Sequence, residues 1–377
     1  MIYLNSAATS YPKPACVVEA YTKSINALPS AQFRSAGIFD NSDLFMQTRE
    51  RLGKIFGIRQ TENIYFTSGS TEALNRIVFG LPYQADEYMT TATEHNSVLR
   101  PLFNLTEGIE PVVVPCDENG QVFVGQMEKH LTDRTKVLIV NHCSNVTGAI
   151  QDLRAMGSFA RAHGLLFIVD CSQSAGCIEI LADEWGIDAL AFTGHKSLLG
   201  VQGTGGYYIR DGIVLKPLLY GGSGKDSTRI RYDSDNYEYE VGTQNSNGIA
   251  ALNQAAAYIL EQGVNRIHEQ EQKLAKYLIS GLSKLSHVKV YGKDLSDRGP
   301  VVSISIDQLL PSDVAYILQS NYNMITRAGM QCAPLIHACI GSGKNGTLRI
   351  SFSNETTIEE LQCVIEAVKE IACAANG

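Results

Sequence analysis

Apolar residues in the first two-thirds of the chain gather in short runs at 64–66, 88–91, 111–114, 137–141, 165–170, 189–192 and 206–209. Their length and flanking turn residues read as strands. Between them the spacing turns helical. Leu44, Phe45, Thr48, Leu52 and Ile55 share one side of a helix over 43–56 that Gly57 ends, and Ala73, Leu74, Ile77, Val78 and Leu81 continue another behind a Ser/Gly/Thr turn. Helices are also expected over 15–28, behind Pro12 and Pro14, and over 153–163. Strands alternating with helices predict an α/β fold: a mostly parallel, seven-stranded-type sheet covered on both faces, with ligands at the carboxyl ends of its strands.

From about Gly242 the pattern lengthens. Helices are expected over 249–262 and 264–285, a strand over 301–306, a helix opening at Ser312 and a strand over 347–352. The last helix opens on a capping box, Thr357 with Glu360, and carries Ile358, Leu361, Ile365, Val368 and Ala372 along one side. This half reads as a smaller α+β domain. The expected division is a large domain at 15–246 and a small one made of 1–14 and 247–377. No repeat or low-complexity linker lies between them, so close packing is expected.

Composition narrows the classes. Of 377 residues, 44% are hydrophobic and 19% charged, a globular balance, and the net charge of -8 with no Lys/Arg-rich run argues against nucleic acid as a partner. Nine cysteines include no C-x-x-C pair and no ligand-like spacing with histidine, so neither a disulfide framework nor a bound metal is expected. The opening Met1 to Ser6 has neither a basic nor a long apolar segment, and no window supplies the roughly 18 apolar residues of a membrane span. A cytoplasmic protein with no membrane contact is expected.

Candidate chemistry gathers at the strand ends. Lys196, in Phe192-Thr-Gly-His-Lys-Ser197, follows one strand and precedes the Gly-rich segment 200–206; it is either an active-site amine or a solvated loop residue. Ser68-Gly-Ser-Thr71 opens a helix, as an anion site or a simple cap. Asp170 ends the run Leu-Leu-Phe-Ile-Val-Asp with Gln173 three residues on, and His95 lies just past another strand. Together an amine, an anion site and a strand-end carboxylate match the needs of pyridoxal phosphate: an imine partner, a phosphate cradle and a charge to keep the pyridine nitrogen protonated. The cluster Gly203-Thr-Gly-Gly206 runs into a strand, not a helix, and so fails the dinucleotide fingerprint.

Asp170-x-x-Gln173, Thr193-Gly-His-Lys196, Gly69-Ser-Thr-Glu72, Glu94-His95-Asn96 and Arg327-Ala-Gly-Met-Gln-Cys332-Ala-Pro334 together resemble the class V aminotransferase family, within it the cysteine desulfurase and selenocysteine lyase group. The likeness runs from Leu4 to the last helix. It implies a fold-type I pyridoxal phosphate-dependent transferase, a homodimer with its active site at the subunit interface. It further implies that Lys196 holds the cofactor covalently, His95 stacks on its ring and takes part in catalysis, Asp170 pairs with the ring nitrogen, and Gln173 and Asn145 contact the ring's phenolic oxygen or its surroundings. Ser70, Thr71, Thr193 and His195 would hold the phosphate, with Thr243 reaching the partner subunit's phosphate. Arg349, with Arg327 and Asn145, would bind the substrate carboxylate.

Cys332 sits in a turn-rich segment and is the implied nucleophile, whereas Cys363 and Cys373 in the last helix are expected to be structural. The implied reaction turns L-cysteine into L-alanine and leaves the sulfur on Cys332 as a persulfide, for a sulfur-acceptor protein to collect. The alternative is selenocysteine lysis or another pyridoxal phosphate-dependent β-elimination or aminotransfer on a small amino acid. The chain departs from the family in having Gln331 where many relatives place histidine, Asn5 where they commonly place aspartate, and no histidine in the loop 34–40.

Overall fold

The computed structural model of the 377-residue chain describes residues 1–27, 42–83, 86–105, 108–223, 228–233 and 237–377. The chain enters on β1 (Ile2–Tyr3), α1 (Ala15–Ile25) and α2 (Ser42–Phe56). Strands and helices then alternate: β2 (Ile64–Thr67), α3 (Ser70–Gly80), β3 (Glu87–Thr91), α4 (Asn96–Phe103), β4 (Val112–Val114), α5 (Val124–His130), β5 (Thr135–Asn141), α6 (Leu153–Ala162), β6 (Leu166–Asp170), α7 (Ala182–Trp185), β7 (Ala189–Thr193) and β8 (Gly205–Ile209). Strands β2 to β8 form one 7-stranded sheet in the order β2-β8-β7-β6-β5-β3-β4.

Pairing within β7-β6-β5-β3-β4 is parallel throughout. Strand β8 runs antiparallel to both β7 and β2, and the two reversals return β2 to the common direction. Every strand except β8 therefore ends at the same sheet edge. Both faces are apolar: Leu138, Val140, Phe167 and Val169 pack in one core, while Val137, Ile139 and Ile168 pack in the other. Such strands have no polar face, which is why they appear in the sequence as unbroken apolar runs.

The second half adds α8 (Ser246–Gln262), α9 (Val264–Leu282), β9 (Val288–Tyr291), β10 (Val301–Ile306), α10 (Pro311–Tyr322), β11 (Met324–Ile325), β12 (Arg327–Gly329), α11 (Ile336–Cys339), β13 (Thr347–Ser351) and α12 (Ile358–Asn376). An antiparallel sheet β12-β13-β10-β9 packs against α9 and α12 around a separate core, and β1 pairs with β11. Helix α8 buries Ile249, Leu252, Ala256 and Ile259 in the large sheet's core, and α9 passes from that core at Ile267 to the small sheet's core at Leu274. The expected capping box is formed: Glu360 N donates to Thr357 Oγ1 at 3.2 Å and Thr357 N to Glu360 Oε2 at 3.0 Å. Strands β9 and β12 and helix α4 carried too little signal: β12 is Arg-Ala-Gly, and α4 contains Pro101. Among the described residues no helix is long and apolar enough to cross a membrane.

Arg298 joins the two halves. It is 1% exposed, and its guanidinium donates to the carbonyls of Gly292 (2.8 Å), Thr147 (2.5 Å) and Val301 (2.7 Å), while Gly299 N donates to Gly148 O.

Gly157 offers a test of the packing. It lies inside α6, where alanine would normally add up to about 1 kcal/mol of helix stability, yet a Cβ there would overlap the Trp185 carbonyl oxygen. Overpacking against backbone costs about 1–3 kcal/mol and outweighs the propensity gain. Gly157→Ala is expected to lower the urea unfolding midpoint with an unchanged slope; a raised midpoint would contradict this packing.

Candidate active site

The common strand edge opens into a cavity of about 440 Å³. Its wall includes Ser70, Thr71, His95, Asn145, Asp170, Gln173, Thr193, His195 and Lys196, so nine of the residues singled out in the sequence come together there. Each reaches it because its strand stops at that edge: β2 delivers the 68–71 turn, β3 His95, β5 Asn145, β6 Asp170 and β7 Thr193 to Lys196. Asn141 and Asp170 are direct neighbours across β5 and β6.

At one end of the cavity α3 begins at Ser70, where the first N–H groups have no helical partners. Gly69 and Gly205 are in such close contact there that a Cβ on Gly205 would lie 2.5 Å from the Gly69 Cα. Glu72 brings a negative charge to this turn, and Arg76 offsets it at 2.7 Å. Thr71 Oγ1 hydrogen-bonds Ser97 Oγ at 2.9 Å, and Ser97 Oγ hydrogen-bonds His95 Nδ1 at 2.8 Å. His95 Nδ1 also accepts the Ser97 backbone N–H at 3.0 Å and thereby caps α4. An accepting Nδ1 carries no proton, so the neutral ring holds its proton on Nε2. Burial first, and then the Lys196 charge, press the His95 pKa down to about 4. The ring is therefore neutral at physiological pH.

Deeper in, Asp170 Oδ1 accepts both the N–H (2.9 Å) and the hydroxyl (2.5 Å) of Ser172, and Oδ2 has no hydrogen-bond donor among the described residues. Glu94, beside it and fully buried, accepts from Thr91 Oγ1 and Asn141 N; burial raises its carboxyl to about 8, so it adds no second charge at neutral pH. Gln173 Nε2 donates to Ala7 O at 3.0 Å. Lys196 Nζ makes no hydrogen bond to the described residues. Burial lowers its pKa to about 8 despite the opposing pull of Asp170. The residue is half-buried, and the cavity reaches it.

The small sheet closes the open side. Arg349 on β13, 3% exposed, donates Nη1 to Asn145 O and Nη2 to Asn5 Oδ1, both at 3.1 Å, and its Nε is buried without a partner. No carboxylate pairs with it among the described residues, and burial lowers its pKa to about 10. Arg327 on β12 stands directly across from it in the antiparallel register, an exposed second cation. Cys332 is exposed on the turn that follows β12. Gln331 and Cys332 both adopt left-handed backbone, φ 44 and φ 59, which costs non-glycine residues about 1–3 kcal/mol each. Four bonds hold the turn there: Asn96 N to Cys332 O (2.7 Å), Asn145 Nδ2 to Gln331 O (2.7 Å), Gln331 Nε2 to Thr347 O (2.8 Å) and Thr347 Oγ1 to Gln331 Oε1 (3.2 Å). The Cys332 sulfur lies within Coulombic range of Lys196 and Arg349.

Gln331 thus bonds Thr347 through both ends of its amide and does not line the cavity. Thr243 is exposed and does not line the cavity. The loop 34–40 lies outside the described residues. Cys363 and Cys373, expected to be structural, are exposed, because they fall on the side of α12 opposite buried Leu361, Val364, Val368 and Ile371. Sequence reasoning missed Ser97, Asn141 and Ser172. Only Ser97, two residues past a potential capping histidine, left any signal.

The sequence model of the family described as Aminotransferase class-V matches residues 2–364. A relative named probable cysteine desulfurase, from Methanothermobacter thermautotrophicus, is 31% identical over 98% of this chain and 94% of its own length. A solved cysteine desulfurase from Thermococcus onnurineus superposes with a TM-score of 0.87 at 30% identity, over 99% of this chain and 95% of that one. The Escherichia coli cysteine desulfurase CsdA gives 0.86 at 25% identity, over 99% and 94%.

Lys196 has a measurable signature. Its folded pKa lies below the ordinary value of 10.5, so the folded state resists protonating it, and that penalty is complete below about pH 8 and relieved as pH rises from 8 towards 10.5. Compared with Lys196→Met, both stripped of cofactor, the natural protein is expected to gain roughly 2 kcal/mol of relative stability between pH 7 and 10, allowing for partial exposure. Urea titrations at several pH values check this. A pH-independent difference would place the amine in open solvent.

Proposed function

Because the chain belongs to the class V aminotransferase family, whose members depend on pyridoxal phosphate, we propose that it is a cysteine desulfurase, converting L-cysteine to L-alanine and keeping the sulfur on Cys332. The observation that carries this reading is an exposed cysteine on a strained turn tethered by four hydrogen bonds, within Coulombic range both of Lys196, which lines the cavity, and of Arg349, neither of which bonds a carboxylate among the described residues. Two consecutive non-glycine residues in left-handed backbone store strain in this turn, as active-site turns often do.

The unsatisfied atoms fit the cofactor. The α3 N-terminus with Ser70, Thr71 and Thr193 suits a phosphate, and His195, lowered to about 4 first by burial, meets it as a neutral N–H donor. Asp170 Oδ2 suits a protonated ring nitrogen, the His95 ring a stacking face, and the buried Asn145 Oδ1, which has no partner, together with Gln173, the ring's polar edge. Lys196 Nζ is the amine for the carbonyl. Bound there, pyridoxal phosphate supplies an electron sink for the substrate's Cα.

The chain's own residues do the remaining work. Arg349, whose charge no carboxylate among the described residues answers, takes the substrate carboxylate, and Arg327 beside it raises the local positive potential. Lys196 Nζ, near-neutral in pKa, removes the Cα proton. The Cys332 sulfur attacks the substrate sulfur: a sulfur–sulfur bond forms, the Cβ–sulfur bond breaks, and Cβ takes a proton to leave as alanine. Gln331 is tied to Thr347 and plays no part in proton transfer, so the histidine common at that place in relatives has no functional substitute there. Exposure of Cys332 suits handover to an acceptor protein. Thr243, outside its own cavity, can reach a phosphate only across a dimer interface, and a homodimer is part of this proposal.

With L-cysteine as substrate, equal amounts of alanine and enzyme-bound sulfur are expected; pyruvate with free sulfide would point to β-elimination instead. Cys332→Ala is expected to lose sulfur transfer by at least about a hundredfold while keeping the bound cofactor's visible band. Arg349→Lys breaks the guanidinium fork and is expected to raise KM for L-cysteine about tenfold or more, the worth of a charged hydrogen bond. Full-rate sulfur transfer by Cys332→Ala would remove the nucleophile.

A further inference from the structure

Residues 5–13 bond a different part of the site at each step. Asn5 Oδ1 accepts from Arg349, Ser6 N donates to Ser351 O in the small sheet, and Ala7 O accepts from Gln173 Nε2. The segment then reaches the exit of β7. There the carbonyl oxygen of His195, the residue just before Lys196, accepts from Ser10 N (3.0 Å), Thr9 Oγ1 (3.2 Å), Ser10 Oγ (3.2 Å) and Lys13 Nζ (2.9 Å). Lys13 Nζ also donates to Ser10 Oγ at 2.7 Å.

Four donors on one oxygen exceed what that oxygen needs. A peptide carbonyl has two lone pairs, and one or two donors satisfy it. One of the four is an ammonium, whose charge-assisted bond is the strongest of the set. Holding it there is costly: Lys13 is half-buried, and burial lowers its pKa to about 8. Glu261 and Glu355 line the same surface groove as Lys13, yet among the described residues its ammonium bonds neither and turns to the carbonyl instead. Lys196 O is taken by Leu199 N at 2.8 Å, so the backbone is held on both sides of the Lys196 Cα. A lysine stem is long and flexible, and where its Nζ arrives depends on the backbone at its root; a misplacement of about 1 Å can cost about a hundredfold in rate.

We propose that Lys13 is a positioning residue for the reaction: its ammonium, with Thr9 and Ser10, anchors the His195 carbonyl and so fixes the backbone from which the Lys196 amine reaches the cavity. Lys13 touches neither substrate nor cofactor and does not line the cavity. It acts through the peptide bond between His195 and Lys196. The proposal rests on the reading of Lys196 as the amine that takes the cofactor, and it does not depend on what Cys332 does.

The test uses the full chain stripped of cofactor, as the natural protein, Lys13→Met, Lys13→Arg and Ser10→Ala. Each is mixed at pH 7 with increasing pyridoxal phosphate, and the visible band is followed as the Lys196 amine captures the aldehyde, an imine and water forming. For Lys13→Met the maximal rate is expected to fall about tenfold while the half-saturating concentration stays within about twofold of the natural protein's; Lys13→Arg, which restores a cationic donor, is expected to recover to within about threefold. Ser10→Ala removes the hydroxyl between Lys13 and the carbonyl, is expected to slow capture about threefold, and carries the test if Lys13→Met does not fold. Lys196→Met is the control: a band of equal strength there would overturn the reading of Lys196 and this proposal with it. With that control blank, capture at the natural rate by Lys13→Met, or by Ser10→Ala where it carries the test, or a loss that Lys13→Arg does not recover, would overturn the proposal alone.

Discussion

Two cations with no bonded carboxylate among the described residues, Lys196 and Arg349, are held near each other at the cavity, and much of the surrounding structure keeps them so. An uncompensated buried charge costs several kcal/mol, and the chain offsets that cost with apolar cores on both faces of the large sheet and a third behind the small one. Asp170 is close enough to oppose the loss of charge on Lys196 but does not bond it. Glu94 is neutralised by burial, and Glu72 is spoken for by Arg76. The cavity is therefore left short of negative charge, which a phosphate at α3 and a carboxylate at Arg349 would supply.

The geometry follows from two sheets of different kinds. The parallel sheet brings its strand ends to one edge, so groups far apart in sequence share one wall. The antiparallel sheet presents Arg327, Arg349 and the Cys332 turn across from that wall. The joint is polar and specific: Asn145 bonds the Gln331 carbonyl with its side chain and Arg349 with its own carbonyl, and Asn96 holds the Cys332 carbonyl. Arg298 repeats the pattern away from the site, answering carbonyls from both halves. Cofactor-facing and sulfur-facing parts thus belong to different sheets, which fits a common chemistry at Lys196 and a specific reaction at Cys332.

What the sequence revealed depended on range. Lys196, Asp170, His95 and the 68–71 turn were legible because each follows a strand whose apolar run is unmistakable, and strand ends in such folds converge. Arg349 looked like any strand-end arginine, and Cys332 like one cysteine of nine; only the family resemblance raised them, since their placement depends on how the small sheet docks. Ser97, Asn141 and Ser172 act by holding a neighbour's side chain, and hydroxyls and amides in turns give no periodic signal. Gln331 stood out as a missing acid–base group, but its role is to brace the turn through Thr347.

The central claim is that sulfur from the substrate is carried by Cys332 and by no other thiol. The most direct measurement is peptide mass spectrometry of the protein exposed to L-cysteine without an acceptor and then trapped with an alkylating reagent. The account predicts one added sulfur atom on the peptide containing Cys332, removable by reductant, with the peptides containing the other cysteines free of it. Added sulfur on another cysteine with Cys332 unmodified, or no enzyme-bound sulfur while alanine accumulates, would contradict it.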